Sequence, residues 1–220
     1  MLIRSGSGPR PRAFVRAGLL AAIAATVATL LAGCASQPVR THADQIAGEQ
    51  SPAERRGALE ALAGWTARGR IALKTPDTGG QGSFIWTQAG DDAVIRVSGP
   101  FGAGAYEIRW SPARLTVVSV RGEVAADLAG PDAAEQFLKA QLGWALPVDS
   151  ARRWLLGLPG PGSPAVTTTD QNGLLLTLEQ GGWQMRYADY RREGGISLPR
   201  RLVLEHAGSR VRFVIDAWQL

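Results

Sequence analysis

Ala105-Tyr106-Glu107-Ile108-Arg109-Trp110 decides the fold. Successive side chains of a strand point to opposite faces, so Tyr106, Ile108 and Trp110 fall on one side and Glu107 and Arg109 on the other. One wet side and one apolar side mark an antiparallel sheet. The same period of two recurs further along. Trp183, Met185 and Tyr187 oppose Gln184 and Arg186, and Val211, Phe213 and Ile215 oppose Arg212 and Asp216. Turn-forming residues punctuate these runs: Pro76-Asp77-Thr78-Gly79-Gly80, Gly90-Asp91-Asp92, Ser111-Pro112, Gly122, Gln171-Asn172-Gly173 and Gly181-Gly182. Strands are predicted at roughly 65–75, 82–89, 93–99, 104–110, 114–120, 123–128, 164–170, 173–179, 182–190, 200–206 and 210–218, about eleven in all.

Three segments break the alternation. Ser51-Pro52-Ala53-Glu54 opens a helix, with Ser51 as N-cap, Pro52 in the first turn and Glu54 at the capping-box position. Leu59 and Leu62 form its apolar edge, and Gly64 stops it. A second helix runs from Pro131 to Gly143 with Phe137, Leu138 and Leu142 on one face. A third starts at Pro147-Val148-Asp149-Ser150, carries Trp154, Leu155 and Leu158, and stops in Gly157-Leu158-Pro159-Gly160-Pro161-Gly162. So few helices cannot cover both faces of so many strands. The expected fold is mainly β: an incomplete antiparallel barrel with a short helical lid or plug over an apolar cavity. A fully packed sandwich is the alternative.

The N-terminus reads as an export signal. Arg4, Arg10, Arg12 and Arg16 precede an apolar run from Ala17 to Leu31, followed by Leu31-Ala32-Gly33-Cys34. The run of about fifteen residues is short for a membrane span, which needs about twenty. The expected organisation is a signal over 1–33, a polar tether over 34–50 and one domain over 51–220. Removing 33 of 220 residues leaves 187, enough to bury a core. Four of the 24 basic residues leave with the signal, so 20 face 19 acids and the charge falls from +5 to +1. The basic balance of the whole chain therefore does not point to nucleic acid. Cys34 is the one cysteine, so no intramolecular disulfide can form and stability must come from packing.

Little in the chain suggests catalysis. His42 lies in the tether, and His206 shares its strand face with Leu202 and Leu204. Gly102-Ala103-Gly104 is followed by a strand rather than a helix, so it is no phosphate cradle. Asp91-Asp92 is a solvated turn. With two histidines and one cysteine, soft metal ligands are scarce. The expectation is a protein that is not an enzyme and holds no metal or cofactor. One connection is unusual. Gly99-Pro100-Phe101-Gly102-Ala103-Gly104 joins two strands, and connections run over the surface, yet Phe101 is large and apolar. Burying such a side chain in lipid contributes roughly 1.5–3 kcal/mol, enough to orient a protein held at a membrane by some other anchor.

Several stretches together resemble the outer-membrane lipoprotein receptor LolB family. They are Leu31-Ala32-Gly33-Cys34, which resembles the bacterial lipobox, then Trp65-Thr66-Ala67-Arg68-Gly69-Arg70, Phe84-Ile85-Trp86-Thr87-Gln88 and Gly99-Pro100-Phe101-Gly102. Leu146-Pro147 then leads into Arg153-Trp154-Leu155-Leu156-Gly157-Leu158-Pro159-Gly160. Trp183 with Tyr187 and Tyr190, Leu198-Pro199, and Asp216-Ala217-Trp218 complete the series.

The resemblance implies acylation of Cys34, an incomplete barrel with a helical lid, and lipid anchoring at the periplasmic face of the outer membrane. It implies acceptance of triacylated lipoproteins from the periplasmic carrier LolA and their delivery to the inner leaflet. It also implies that a protruding loop with an apolar residue, here Phe101 among Gly99, Pro100 and Gly102, acts in delivery. Well-known members carry leucine there. Ala35 follows Cys34, in place of the aspartate linked to inner-membrane retention in enterobacteria.

The expected acyl-chain lining is the apolar strand face: Phe84, Trp86, Ile95, Val97, Tyr106, Ile108, Trp110, Leu174, Leu176, Trp183, Met185, Leu202, Leu204, Phe213 and Ile215. Trp154 and Leu155 are expected on the lid. The expected partners are LolA, acylated cargo and outer-membrane phospholipid, with the protein a monomer that binds no nucleic acid. A structural lipoprotein that tethers the envelope, with a packed core and no cargo, is the alternative.

Overall fold

The computed structural model describes residues 50–99, 104–142 and 146–220. Cys34 and most of the Phe101 loop, Pro100 to Gly102, lie outside them. The order is α1 (Pro52–Glu60), β1 (Gly64–Lys74), β2 (Gly79–Ala89), β3 (Asp92–Ser98), β4 (Tyr106–Ser111), β5 (Arg114–Ser119), β6 (Val124–Ala129), α2 (Ala133–Leu142), α3 (Val148–Leu155), β7 (Ala165–Thr169), β8 (Leu175–Gln180), β9 (Trp183–Glu193), β10 (Ile196–His206) and β11 (Ser209–Gln219).

The eleven strands of the described residues belong to one sheet in the order β6-β5-β4-β3-β2-β1-β11-β10-β9-β8-β7. Every pairing is antiparallel. Edge strands β6 and β7 are not bonded to each other, so the sheet stays open and the expected incomplete barrel is what forms. The chain makes two runs of hairpins and joins them by pairing β1 with β11 in the middle.

That central seam carries a β-bulge. Thr66, Ala67 and Arg68 pair with Gln219, Trp218 and Ala217, and the register then shifts before Gly69 meets Ile215. A Cβ on Gly69 would lie 2.0 Å from the Val214 carbonyl oxygen. The obstacle is backbone, so no rotamer change relieves it. Gly69→Ala is therefore expected to cost about 3 kcal/mol, at the upper end for overpacking. Urea unfolding of the mature chain checks this, and a cost below about 1 kcal/mol would mean that the seam can part freely.

The helix boundaries follow local chemistry. Ser51 Oγ accepts from Glu54 N at 3.3 Å, and Glu54 Oε2 accepts from Ser51 N at 2.8 Å, which completes the capping box. α1 ends at Glu60 with Ala61 as cap, earlier than Gly64 suggests. α3 ends in a Schellman motif: Leu158 N donates to Arg153 O at 3.0 Å and Gly157 N to Trp154 O at 2.9 Å. Gly157 sits at φ 75°, where a side chain is disfavoured.

α3 packs on β8 and β9. Trp154 Nε1 donates to Gln180 Oε1 at 2.9 Å, its ring lies 5.9 Å from that of Trp183, and Tyr187 OH donates to Trp154 O at 3.1 Å. Trp154, Leu155, Leu178, Met185, Leu198, Leu202 and Ile215 are all under 2% exposed, so this half of the molecule is solid.

Candidate functional site

The other half contains a hollow of about 310 Å³ whose wall is wholly apolar. Strands β1 to β5, β10 and β11 form its floor and sides. Helix α2 covers it through Ala134, Phe137 and Leu138, joined by Leu146 and Val148 at the start of α3. Among the described residues no charged side chain lines it. The charges of β3 and β4 lie on the opposite face of the sheet. There Glu107 accepts from Arg96 Nε at 2.8 Å and from Arg109 Nε at 2.7 Å, which holds its carboxyl below the usual range.

Exposure changes along the hollow. At one end Trp65, Trp86, Trp110 and Leu115 are buried, and tilted contacts between Trp65 and Trp86 close it, with ring centroids 5.8 Å apart. Toward the other end the wall residues Ile71 and Leu73 of β1, Ile95 and Val97 of β3, and Ile108 of β4 are only half-buried. That second end is the rim where β3 leaves through Gly99 and the chain returns at Gly104 toward β4. An open, apolar pocket of this kind can take up hydrocarbon and offers nothing with which to carry out acid–base or nucleophilic chemistry.

Eight of the expected lining residues stand on this wall: Phe84, Trp86, Ile95, Val97, Ile108, Trp110, Leu204 and Phe213. The structure places the rest elsewhere. Trp154 and Leu155, expected on a lid, are buried in the solid half, as are Trp183, Met185, Leu202 and Ile215, and α3 seats on β8 and β9 through Trp154. Leu174 is buried beside the β7–β8 turn, away from the hollow. Leu176 is 46% exposed. Thr168 pairs with Thr177 and Thr169 with Leu175, so Leu176 is the extra residue of a bulge, and the period-two count fails there. Tyr106, 42% exposed, sits on the rim and does not line the wall.

Sequence reasoning missed Ile71, Leu73, Leu115 and Val211 on the strands. Ile71 lies opposite Phe213 and Leu73 opposite Val211, so the inward phase of β11 could have located them. Phe137 and Leu138 were visible as one helical face, but not what that face covers.

His206 stacks on Trp183 with centroids 4.8 Å apart, and its Nδ1 lies 3.0 Å from Gly182 O, so the ring is used in packing. Among the described residues no group of three or more His, Cys, Asp or Glu could hold a metal, and no helix is long and apolar enough to cross a membrane.

The family described as outer membrane lipoprotein LolB matches residues 63–218. The chain is similar to outer-membrane lipoprotein LolB of Nitrosococcus oceani, at 41% identity over 87% of this chain and 92% of that one. It is also similar to the Pseudomonas fluorescens protein of the same description, at 36% identity over 86% and 90% of the two chains. A solved LolA superfamily protein from Nitrosomonas europaea overlays with a TM-score of 0.47 at 12% identity, covering 73% of this chain and 87% of that one.

Proposed function

The chain belongs to the outer-membrane lipoprotein LolB family, and from that premise we propose that it accepts acylated lipoproteins from LolA and delivers them to the inner leaflet of the outer membrane. The family is one of lipid-anchored outer-membrane lipoproteins acting in lipoprotein localisation, and it is not an enzyme family. In this reading residues 1–33 are removed, Cys34 carries the acyl groups, 34–50 form the tether and 51–220 the working domain. Mass spectrometry of the mature protein should find acyl groups on Cys34.

The observation that carries the reading is the wholly apolar hollow, half-open at the rim from which the Phe101 connection departs. Each acyl CH₂ left in water costs about 0.8 kcal/mol. A pocket that shields the chains lets cargo pass between two apolar sites without meeting water, and no nucleotide is needed if each site binds more favourably than the last. A flat tether with a packed core has no use for such a void.

Phe101→Glu tests the delivery step in a transfer assay with acylated cargo and LolA. Losing the roughly 1.5–3 kcal/mol of an inserted Phe should slow release into vesicles about ten- to hundred-fold while uptake continues. Uptake failing while release survives would refute the assigned role. The apolar dye bis-ANS checks the pocket itself. Binding that acylated cargo competes away supports the receptor, and no binding by the native domain supports the tether.

A further inference from the structure

The turn joining β5 and β6 lies against the connection between β3 and β4. Val120 N donates to Ala105 O at 3.1 Å, and Ser119 pairs with Tyr106 across the β4–β5 ladder. Val120 is 74% exposed and Val124 is 63% exposed, with Tyr106 open beside them. Turn tips ordinarily carry polar residues, because those satisfy their own backbone and stay in water. Here a tight turn presents large apolar groups instead.

The turn is also held in shape before it meets anything. Ser119 Oγ accepts from Arg121 N and from Glu123 N, both at 3.2 Å. Gly122 N donates to Ser119 O at 2.9 Å, and Ser119 N donates to Glu123 O at 2.9 Å. A tip fixed this way loses little freedom on binding. Its two charges, Arg121 and Glu123, are exposed and cancel, so the tip neither repels nor seeks a charged surface.

We propose that Val120, Val124 and Tyr106 form a second lipid contact, entering a phospholipid bilayer beside the β3–β4 connection. The occupant is lipid because the protein is anchored at the outer membrane and because the patch continues the rim at which the hollow opens. This rests on the reading that this rim faces the membrane, and it adds a geometric role. One inserted point leaves the domain free to roll about it. Two points hold the mouth of the hollow toward the bilayer, so that an acyl chain leaves into lipid.

The test uses the full chain in phosphatidylethanolamine–phosphatidylglycerol vesicles that contain a lipid-borne quencher. Val120→Cys is labelled with an environment-sensitive dye and compared with Val166→Cys on β7, which is 68% exposed on the opposite edge strand of the sheet. Any label on Cys34 is common to both variants and cancels. The expected result is a blue-shifted, quenched signal at position 120 and a water-like signal at position 166. Val120→Glu with Val124→Glu should then slow release about fivefold and leave uptake from LolA unchanged. Equal, water-like signals at 120 and 166 overturn the second contact. A shift at 120 that appears only on adding LolA, without lipid quenching, also overturns it in favour of a protein contact. If position 120 stays in water while Phe101→Glu still blocks release, the second contact falls and the delivery reading stands. If a label at Phe101→Cys is also water-like, both fall.

Discussion

Replacing Arg55 with leucine is expected to destabilise the domain by about 4 kcal/mol. Arg55 is 6% exposed on α1, an element otherwise turned largely to water. Its Nε donates to Ser197 O of β10 at 2.8 Å, and its Nη2 to Leu156 O, just past the end of α3, at 3.1 Å. The guanidinium carbon stands 5.6 Å from the centre of the Tyr190 ring. Burial pulls the Arg55 pKa below its ordinary value, so the charge is costly where it sits. It is tolerated because two carbonyl dipoles, one at the negative end of a helix, and an aromatic face surround it.

Leucine would fill part of the space and leave both carbonyls buried without a donor, at about 1–3 kcal/mol each. Arg55→Lys keeps the charge but has no planar fork to reach two carbonyls on different elements, so an intermediate loss is expected. Urea unfolding of both variants decides the matter. Arg55→Leu within about 1 kcal/mol of the parent would show that the three-way clamp contributes nothing. The neighbouring Gly157 explains part of the motif around α3, since a Cβ there would come within 3.1 Å of Arg55 Nη2.

What could be read from the sequence divides along a physical line. Strands, turns and helix starts depend on neighbours in the chain, and these were legible. The alternation of Tyr106, Ile108 and Trp110 and the Ser51–Glu54 capping box needed only a few adjacent residues to interpret. Whether an inward side chain meets a void or a helix depends on where distant helices dock. Trp86 and Trp183 alternate in the same way, yet Trp86 borders the hollow and Trp183 is pressed under Trp154. Nothing local to either strand distinguishes them. Ile71 and Leu73 escaped notice because Ala67 and Gly69 dilute the apolar phase of β1. Leu176 was misplaced because a bulge resets the count, and bulges leave no certain mark in the residues. Arg55 looks like any exposed charge on an amphipathic helix. Its burial comes from β10 and from Leu156, the cap of α3, which are 142 and 101 residues away.

Filling the hollow is expected to remove transfer activity and leave the fold standing. Ile95 and Ile108 face each other across the β3–β4 ladder, and both stand on the wall. Ile95→Trp with Ile108→Trp would push two indoles into the space of about 310 Å³ that α2 covers. In a packed core such a change costs about 1–3 kcal/mol through overpacking. Here the added atoms enter a void and gain dispersion contacts that the wall now lacks, so the unfolding free energy should stay within about 1 kcal/mol of the parent. Uptake of cargo from LolA and binding of bis-ANS should each fall at least about tenfold, because hydrocarbon can no longer displace into the space. Ile85→Trp is the control. Ile85 is on the outer face of β2, 40% exposed, and the same substitution there should alter neither property. A protein whose hollow is an accident of packing would gain stability from filling it and lose nothing. One that keeps the hollow for hydrocarbon forgoes that stability for function, as binding sites generally do. Undiminished uptake in the filled variant would show that acyl chains travel by another surface.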